Sequence, residues 1–213
     1  MAAVGGLALF FSQVSQTSGI AVFVDPMLAD FGWSRSTISA AFTVTTLISA
    51  GVVIAAGRVI DRFGHRVVMV VTTVVFVVAL LLMGSVAGLV SLFLALGLLR
   101  ISGSSVLSLV ARTLVSLWFA RRRGRAVSMI NLGKMAGVAI IPPANALLVT
   151  WVGWRDAWRI NAVVVALAFL PVAALVVRNR PEQVGQFPDG RRPEPRTEAA
   201  GDDEHDEVRS WTV

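Results

Sequence analysis

The ten residues Gly57-Arg58-Val59-Ile60-Asp61-Arg62-Phe63-Gly64-His65-Arg66 form a basic turn with one acid, set between two runs too apolar for a protein surface. Residues 36–56 precede it and 67–83 follow it. An apolar run, a tight charged turn and a second apolar run read as two membrane helices joined at one face of a bilayer. Gly57 allows close helix approach, and Gly64 can take the positive φ of a turn. Asp61 and Arg62 are expected to pair with charges elsewhere in the bundle.

Six runs are long enough to cross a hydrocarbon core of about 30 Å at about 1.5 Å per residue. They cover 4–24, 36–56, 67–86, 89–118, 126–151 and 160–177. Read as one helix, 67–99 would be roughly 50 Å long, so it must break, and Gly84-Ser85 and Gly88 supply the break. A chain 55% hydrophobic and only 15% charged is not a soluble domain. The fold class expected is an all-α membrane protein of six transmembrane helices. No cleavable signal peptide is visible, and the absence of cysteine leaves the redox compartment open.

The net charge of +6 would suggest nucleic acid in a soluble protein; here its distribution reports topology. Arg58, Arg62 and Arg66 follow the second run, Arg121, Arg122, Arg123 and Arg125 the fourth, and Arg178 and Arg180 the sixth. The opposite side carries only Arg35, Arg155 and Arg159. Both termini are therefore expected in the cytoplasm. Phe31, Trp33, Trp151, Trp154 and Trp158 fall where an outer aromatic belt belongs, with Trp118 and Phe119 at the inner one.

The runs differ in polarity. The third and sixth are almost purely aliphatic. The first carries Ser12, Gln13, Ser15 and Gln16, and the fourth carries Arg100, Ser104, Ser108 and Arg112. Polar groups in hydrocarbon need a partner or water, so runs one and four should face a wet cavity and runs three and six lipid.

The pattern G-x-x-x-D-R-x-G-x-R, carried by Gly57, Asp61, Arg62, Gly64 and Arg66, resembles the signature between the second and third helices of the major facilitator superfamily. His65 stands where a basic residue is usual. Phe31-Gly32-Trp33-Ser34-Arg35-Ser36 and Trp118-Phe119-Ala120-Arg121-Arg122-Arg123-Gly124 resemble segments of its monocarboxylate-porter and oxalate/formate-antiporter branch. Arg100-x-x-Gly103 is similar to the superfamily's fourth-helix motif. The first-helix signature of animal monocarboxylate porters is missing, since Pro26 follows Asp25. The resemblance implies that 1–178 is the N-terminal six-helix half-bundle, with the charged turn as its conformational gate. Residues 179–213, rich in proline and charge, read as a polar cytoplasmic linker toward a C-terminal half.

Candidate substrate-binding residues are Arg100, Lys134, Asn131, Gln13, Gln16 and Ser104. Arg100 lies about 15 Å into its helix at the helical rise, and a membrane-buried guanidinium marks a solute pathway or serves as a strut between helices. Ser104 and Ser108 follow it at i+4 steps, on one broad face. Lys134, the only lysine, sits beside Asn131 at i+3, and either takes part in transport or snorkels to the interface. Gln13 and Gln16 either bind a solute or bridge helices. Pro142-Pro143, Gly133 and Gly137 should kink the fifth helix or let it pack closely.

His65 reads as a solvated loop residue, and His205 lies in the linker. With two distant histidines and no cysteine, no metal site is expected, and no cofactor. No nucleophile–base pair, phosphate loop or paired catalytic carboxylate appears, so the chain is not read as an enzyme. The expectation is a secondary transporter of the bacterial inner membrane moving a small organic anion such as a monocarboxylate, with protons as a candidate coupling ion. A drug or metabolite efflux porter, or a six-span scaffold or sensor, is the alternative. Its partners are then the bilayer, the solute and the missing half, with no nucleic acid.

Overall fold

A computed structural model describes residues 1–119 and 123–178. The linker, His205, Arg121 and Arg122, and the side chain of Arg123 lie outside the described residues. Every regular element described is helical, and five stretches are long and apolar enough to cross a membrane. They are α1 (Ala2–Phe31), α2 (Arg35–Phe63), α3 (His65–Gly84), α4 (Leu89–Trp118) and α5 (Gly124–Leu175).

The expected break between the third and fourth runs is present: α3 ends at Gly84, and the Ser91 hydroxyl accepts from the Ala87 and Gly88 amides as α4 begins. α5 holds 52 residues, about 78 Å at the helical rise, far more than one crossing requires. It is divided at Gly153, whose φ of 80° and ψ of 165° no helix contains. A β-carbon there would strain the backbone. We call 124–152 its first arm and 154–175 its second. Helix continues through Pro142-Pro143, so the interruption falls at the glycine instead. Helix also covers 154–159, expected as loop, because a hydropathy window sees only the hydrocarbon-depth part of a helix.

α1 packs along α5. A β-carbon at Gly133 would run into the Gly6 carbonyl, which gives this glycine its expected close-packing role. Further along, Phe23 stacks on Trp158 with ring centres 4.0 Å apart, and Phe11 meets Phe169. Trp158 is 0% exposed and Trp154 is also buried, whereas Trp151 is 76% exposed. The aromatic belt therefore reduces in part to core: the rings of the second arm pack inward against α1. Asn161 joins the arms by donating to Asn145 Oδ1 at 2.9 Å, and Asn145 reaches the Gly19 carbonyl at 3.4 Å.

The polarity-based assignment of lipid faces holds only in part: the sixth run exposes Leu167 and Leu175, but the third is half buried. Half of the most apolar window of α3 is buried, against 22% for α2. Large apolar side chains stand open on α2 (Leu47, Ile54), on α4 (Val90, Leu94) and on both arms of α5 (Leu132, Leu167), and less so on α3 (Val71). Aliphatic side chains serve equally against protein and against lipid, so hydropathy does not separate the two.

Charge divides the ends of the bundle. Arg35 pairs with Asp25, Arg155 with Asp30, and Arg159 with Asp156. Trp154 adds an indole hydrogen bond to Asp30 at 3.0 Å. At the other end Asp61 and Arg62 are exposed, and among the described residues Asp61 forms no ion pair. The pairing expected for this turn is thus not seen among those residues, and Arg121 and Arg122 lie outside them.

Gly64 has the expected positive φ, 81°. Among the described residues a β-carbon at Gly57 would meet nothing within 4 Å, so none of their helices presses on it as expected. His65, expected in solvent, is only 8% exposed, with Nε2 3.1 Å from the Thr113 hydroxyl of α4. Gly64 ends α2 and His65 opens α3, which turns the imidazole inward. Arg66 donates from Nε and Nη2 to the Ala174 carbonyl at 3.1 and 2.8 Å.

Candidate functional site

Two irregular helices meet at the centre of the molecule. α1 tightens into a 3₁₀ turn at Gln13–Ser15, then Gln16 adopts an extended conformation (φ −79°, ψ 163°) before helix resumes at Thr17. Serine hydroxyls drive this by bonding backbone in place of the helical ladder: Ser12 donates to the Leu9 carbonyl at 2.8 Å and Ser15 to the Ser12 carbonyl at 2.7 Å. Opposite, α4 widens into a π-helix over Arg100–Leu107. Gly103 permits the approach, since a β-carbon there would strike Ser15 Oγ and the Phe76 ring. Ser104 closes the junction by donating to the Ser15 carbonyl at 2.8 Å, with its Oγ 3.0 Å from Ser15 Oγ.

Beside this junction lies a cavity of about 300 Å³. α1 contributes Gln13 and Gln16, α4 Ser104, Ser105, Ser108 and Arg112, and α5 Lys134; Leu9, Val53 and Leu109 supply apolar wall. Gln13 is buried and donates to the Leu9 carbonyl at 3.2 Å, which fixes its amide. The lining thus carries two cations, two amides and three hydroxyls, and among the described residues no carboxylate. Four of the six proposed substrate residues, Gln13, Gln16, Ser104 and Lys134, come together here.

The other two do not. Asn131 is exposed and does not line the cavity. Arg100 is 8% exposed, but its guanidinium carbon lies 4.3 Å from the centre of the Phe42 ring of α2, outside the cavity. Its Nε and Nη1 are buried and find no hydrogen-bond partner among the described residues. The π-helix explains the separation. Its wider turn changes the angle between successive residues from that of an α-helix, so a spacing that assumes α-helical register does not place Arg100 on the Ser104–Ser108 face.

Arg112 takes the place anticipated for Arg100. It lies four residues beyond Ser108 on the regular part of α4, and that i+4 step is the signal in the sequence that identifies it. The arrangement suits reversible binding of a small polar solute: fixed amides and hydroxyls for orientation, an arginine fork and a lysine for negative charge.

Comparison with known proteins agrees with this architecture. The family model described as Major Facilitator Superfamily matches residues 5–211. "MFS-type transporter 1" of Ophiocordyceps sp. is 30% identical over 180 residues, 83% of this chain and 39% of that protein. "MFS-type transporter pynF" of Aspergillus niger is 27% identical over 191 residues, 87% of this chain and 43% of the relative. The "Puromycin resistance protein pur8" of Streptomyces alboniger is 32% identical over 143 residues, 66% of this chain and 28% of the relative. The chain therefore spans about two-fifths of the length of the first two relatives. With its multi-pass helical bundle and a family match along nearly its whole length, this chain belongs to the Major Facilitator Superfamily of membrane transporters.

Proposed function

We propose that this chain forms one half of a secondary transporter that carries a small organic anion by alternating access, with the solute seated in the Gln13–Lys134 cavity. The observation that carries the reading is the cavity's charge: Arg112 and Lys134 line it, and no described acid does. Cations at membrane depth cost at least about 2.5–3.5 kcal/mol each on insertion scales, and a bound carboxylate offsets that cost. In this reading the two arms of α5 are separate crossings, which makes six spans and leaves both ends of the chain in the cytoplasm. The surplus of arginine at the Asp61 end, against fully paired arginines at the other, supports that orientation. The turn of Gly57, Asp61, Arg62, Gly64 and Arg66 acts as the gate between access states, and Arg100 shapes the α2–α4 contact. Parallel six-helix repeats work in pairs about an axis along the membrane normal, so the pathway closes only against a second such half. A monocarboxylate is the solute class favoured by the sequence, and protons the coupling ion.

Uptake into proteoliposomes, measured with monocarboxylates, dicarboxylates and organic cations at several pH values, tests this. Preference for carboxylates is expected, and preference for cations contradicts it. Export of a metabolite is the second reading, favoured by relatives such as the "Agnestins efflux protein AgnL12" of Paecilomyces divaricatus. Comparing right-side-out with inverted vesicles separates uptake from export.

A further inference from the structure

Val67 and Val71 stand exposed on α3 as a ridge with an apolar groove on either side. The first groove, about 420 Å³, runs between α2 and α3, with Val52, Val59 and Phe63 on one wall and Val68 on the other. Among the described residues that line it, Thr72 alone is polar. The second, about 410 Å³, lies between α3 and the second arm of α5, bounded by Arg66, Val70 and Ala174. Both grooves include Val67 and Val71, so they are neighbours separated by one row of side chains. From Val52 to Phe63 the first groove follows α2 for about 16 Å at the helical rise, a length suited to an extended hydrocarbon chain.

The two grooves converge on the charged turn. The Arg62 guanidinium carbon lies 5.5 Å from the centre of the Phe63 ring, which walls the first groove. Arg66 walls the second, held at its mouth by its hydrogen bonds to the Ala174 carbonyl. Among the described residues of this turn, Arg58, Arg62 and Arg66 outnumber its one acid, Asp61, which makes the turn electropositive. Two adjacent hydrocarbon grooves with guanidinium groups at their shared end match the covalent plan of a diacyl phospholipid, and basic pockets between membrane helices select anionic headgroups.

We propose that an anionic diacyl phospholipid sits astride the Val67–Val71 ridge, one acyl chain in each groove, with its phosphate held by Arg62 and Arg66. The charge surplus selects an anionic headgroup, since the ammonium of a zwitterionic lipid is repelled by the three arginines. The grooves select two chains over one.

Native mass spectrometry of the full chain, purified in dodecyl maltoside and given equal amounts of palmitoyl-oleoyl phosphatidylglycerol and phosphatidylcholine, tests this. Phosphatidylglycerol is expected to be retained about fivefold or more over phosphatidylcholine, the scale of one basic residue acting on an anionic lipid. Arg62→Gln, at an exposed position that does not threaten folding, should erase the preference. Val71→Trp, which crowds the ridge that both grooves share, should lower retention of both lipids, with circular dichroism confirming an intact helical fold. Neither palmitoyl-oleoyl glycerol nor inorganic phosphate at equal concentration should displace the bound lipid. Equal retention of the two phospholipids, an unchanged preference in Arg62→Gln, or displacement by inorganic phosphate alone would each overturn the proposal.

Discussion

Arg100 of α4 rests its guanidinium carbon 4.3 Å from the centre of the Phe42 ring of α2, while its Nε and Nη1 are buried and find no partner among the described residues. The positive charge therefore leans on a ring face where an acid would be the ordinary partner, and the contact ties two helices on either side of the α4 irregularity. Cation–π contacts contribute from about 0.5 kcal/mol when exposed to about 2 kcal/mol or more when desolvated. Phe42→Leu should lower the stability of the purified protein by an amount in that range. A double-mutant cycle with Arg100→Met should return most of it as coupling energy. Additive effects in the cycle would show that the two residues do not interact.

Gly133 and Gly57 should behave in opposite ways. A β-carbon at Gly133 meets the Gly6 carbonyl of α1, a rigid backbone atom, whereas one at Gly57 meets open space. Gly133→Ala should force α1 and α5 apart and cost more than about 1–3 kcal/mol, the range for overpacking a core with side chains alone. Gly57→Ala should leave folding intact. Size-exclusion profiles of tagged protein from membranes check this, and a monodisperse, full-yield Gly133→Ala protein would contradict the packing.

Most of the bundle was legible in the sequence because membrane crossing demands long apolar runs, and a run leaves its mark whatever it packs against. The break after Gly84 and the bounds of α4 follow from that rule. The cavity was half legible. Gln13, Gln16, Ser104 and Lys134 stand out as polar residues in apolar helices, and the structure gathers them. Arg100 stands out equally and belongs elsewhere, because the Arg100–Leu107 stretch departs from α-helical register and spacing arguments assume that register. His65 illustrates a second limit. Its loop-like neighbours conceal that it opens a helix and turns inward to Thr113, a contact 48 residues away in sequence.

Topology can be tested on the natural chain, which contains no cysteine. Single cysteines at Arg62 and at Trp33 should label from opposite sides of inverted and right-side-out vesicles with an impermeant maleimide, Arg62 from the cytoplasm. A cysteine at Arg178 should label with Arg62 if the two arms of α5 cross separately. Labelling of Arg178 with Trp33 would mean that α5 does not return across the membrane.

The most direct test of the account is anion uptake by the reconstituted transporter carrying Lys134→Gln, Arg112→Gln or Asn131→Ala. Lys134 and Arg112 line the cavity, and Asn131, three residues from Lys134, does not. A charged hydrogen bond contributes about 1.5–3 kcal/mol, so each glutamine variant should lose roughly tenfold or more in apparent affinity for the transported carboxylate. Asn131→Ala should match the unaltered protein. Loss of affinity in Asn131→Ala with wild-type uptake by both glutamine variants would contradict the proposed site.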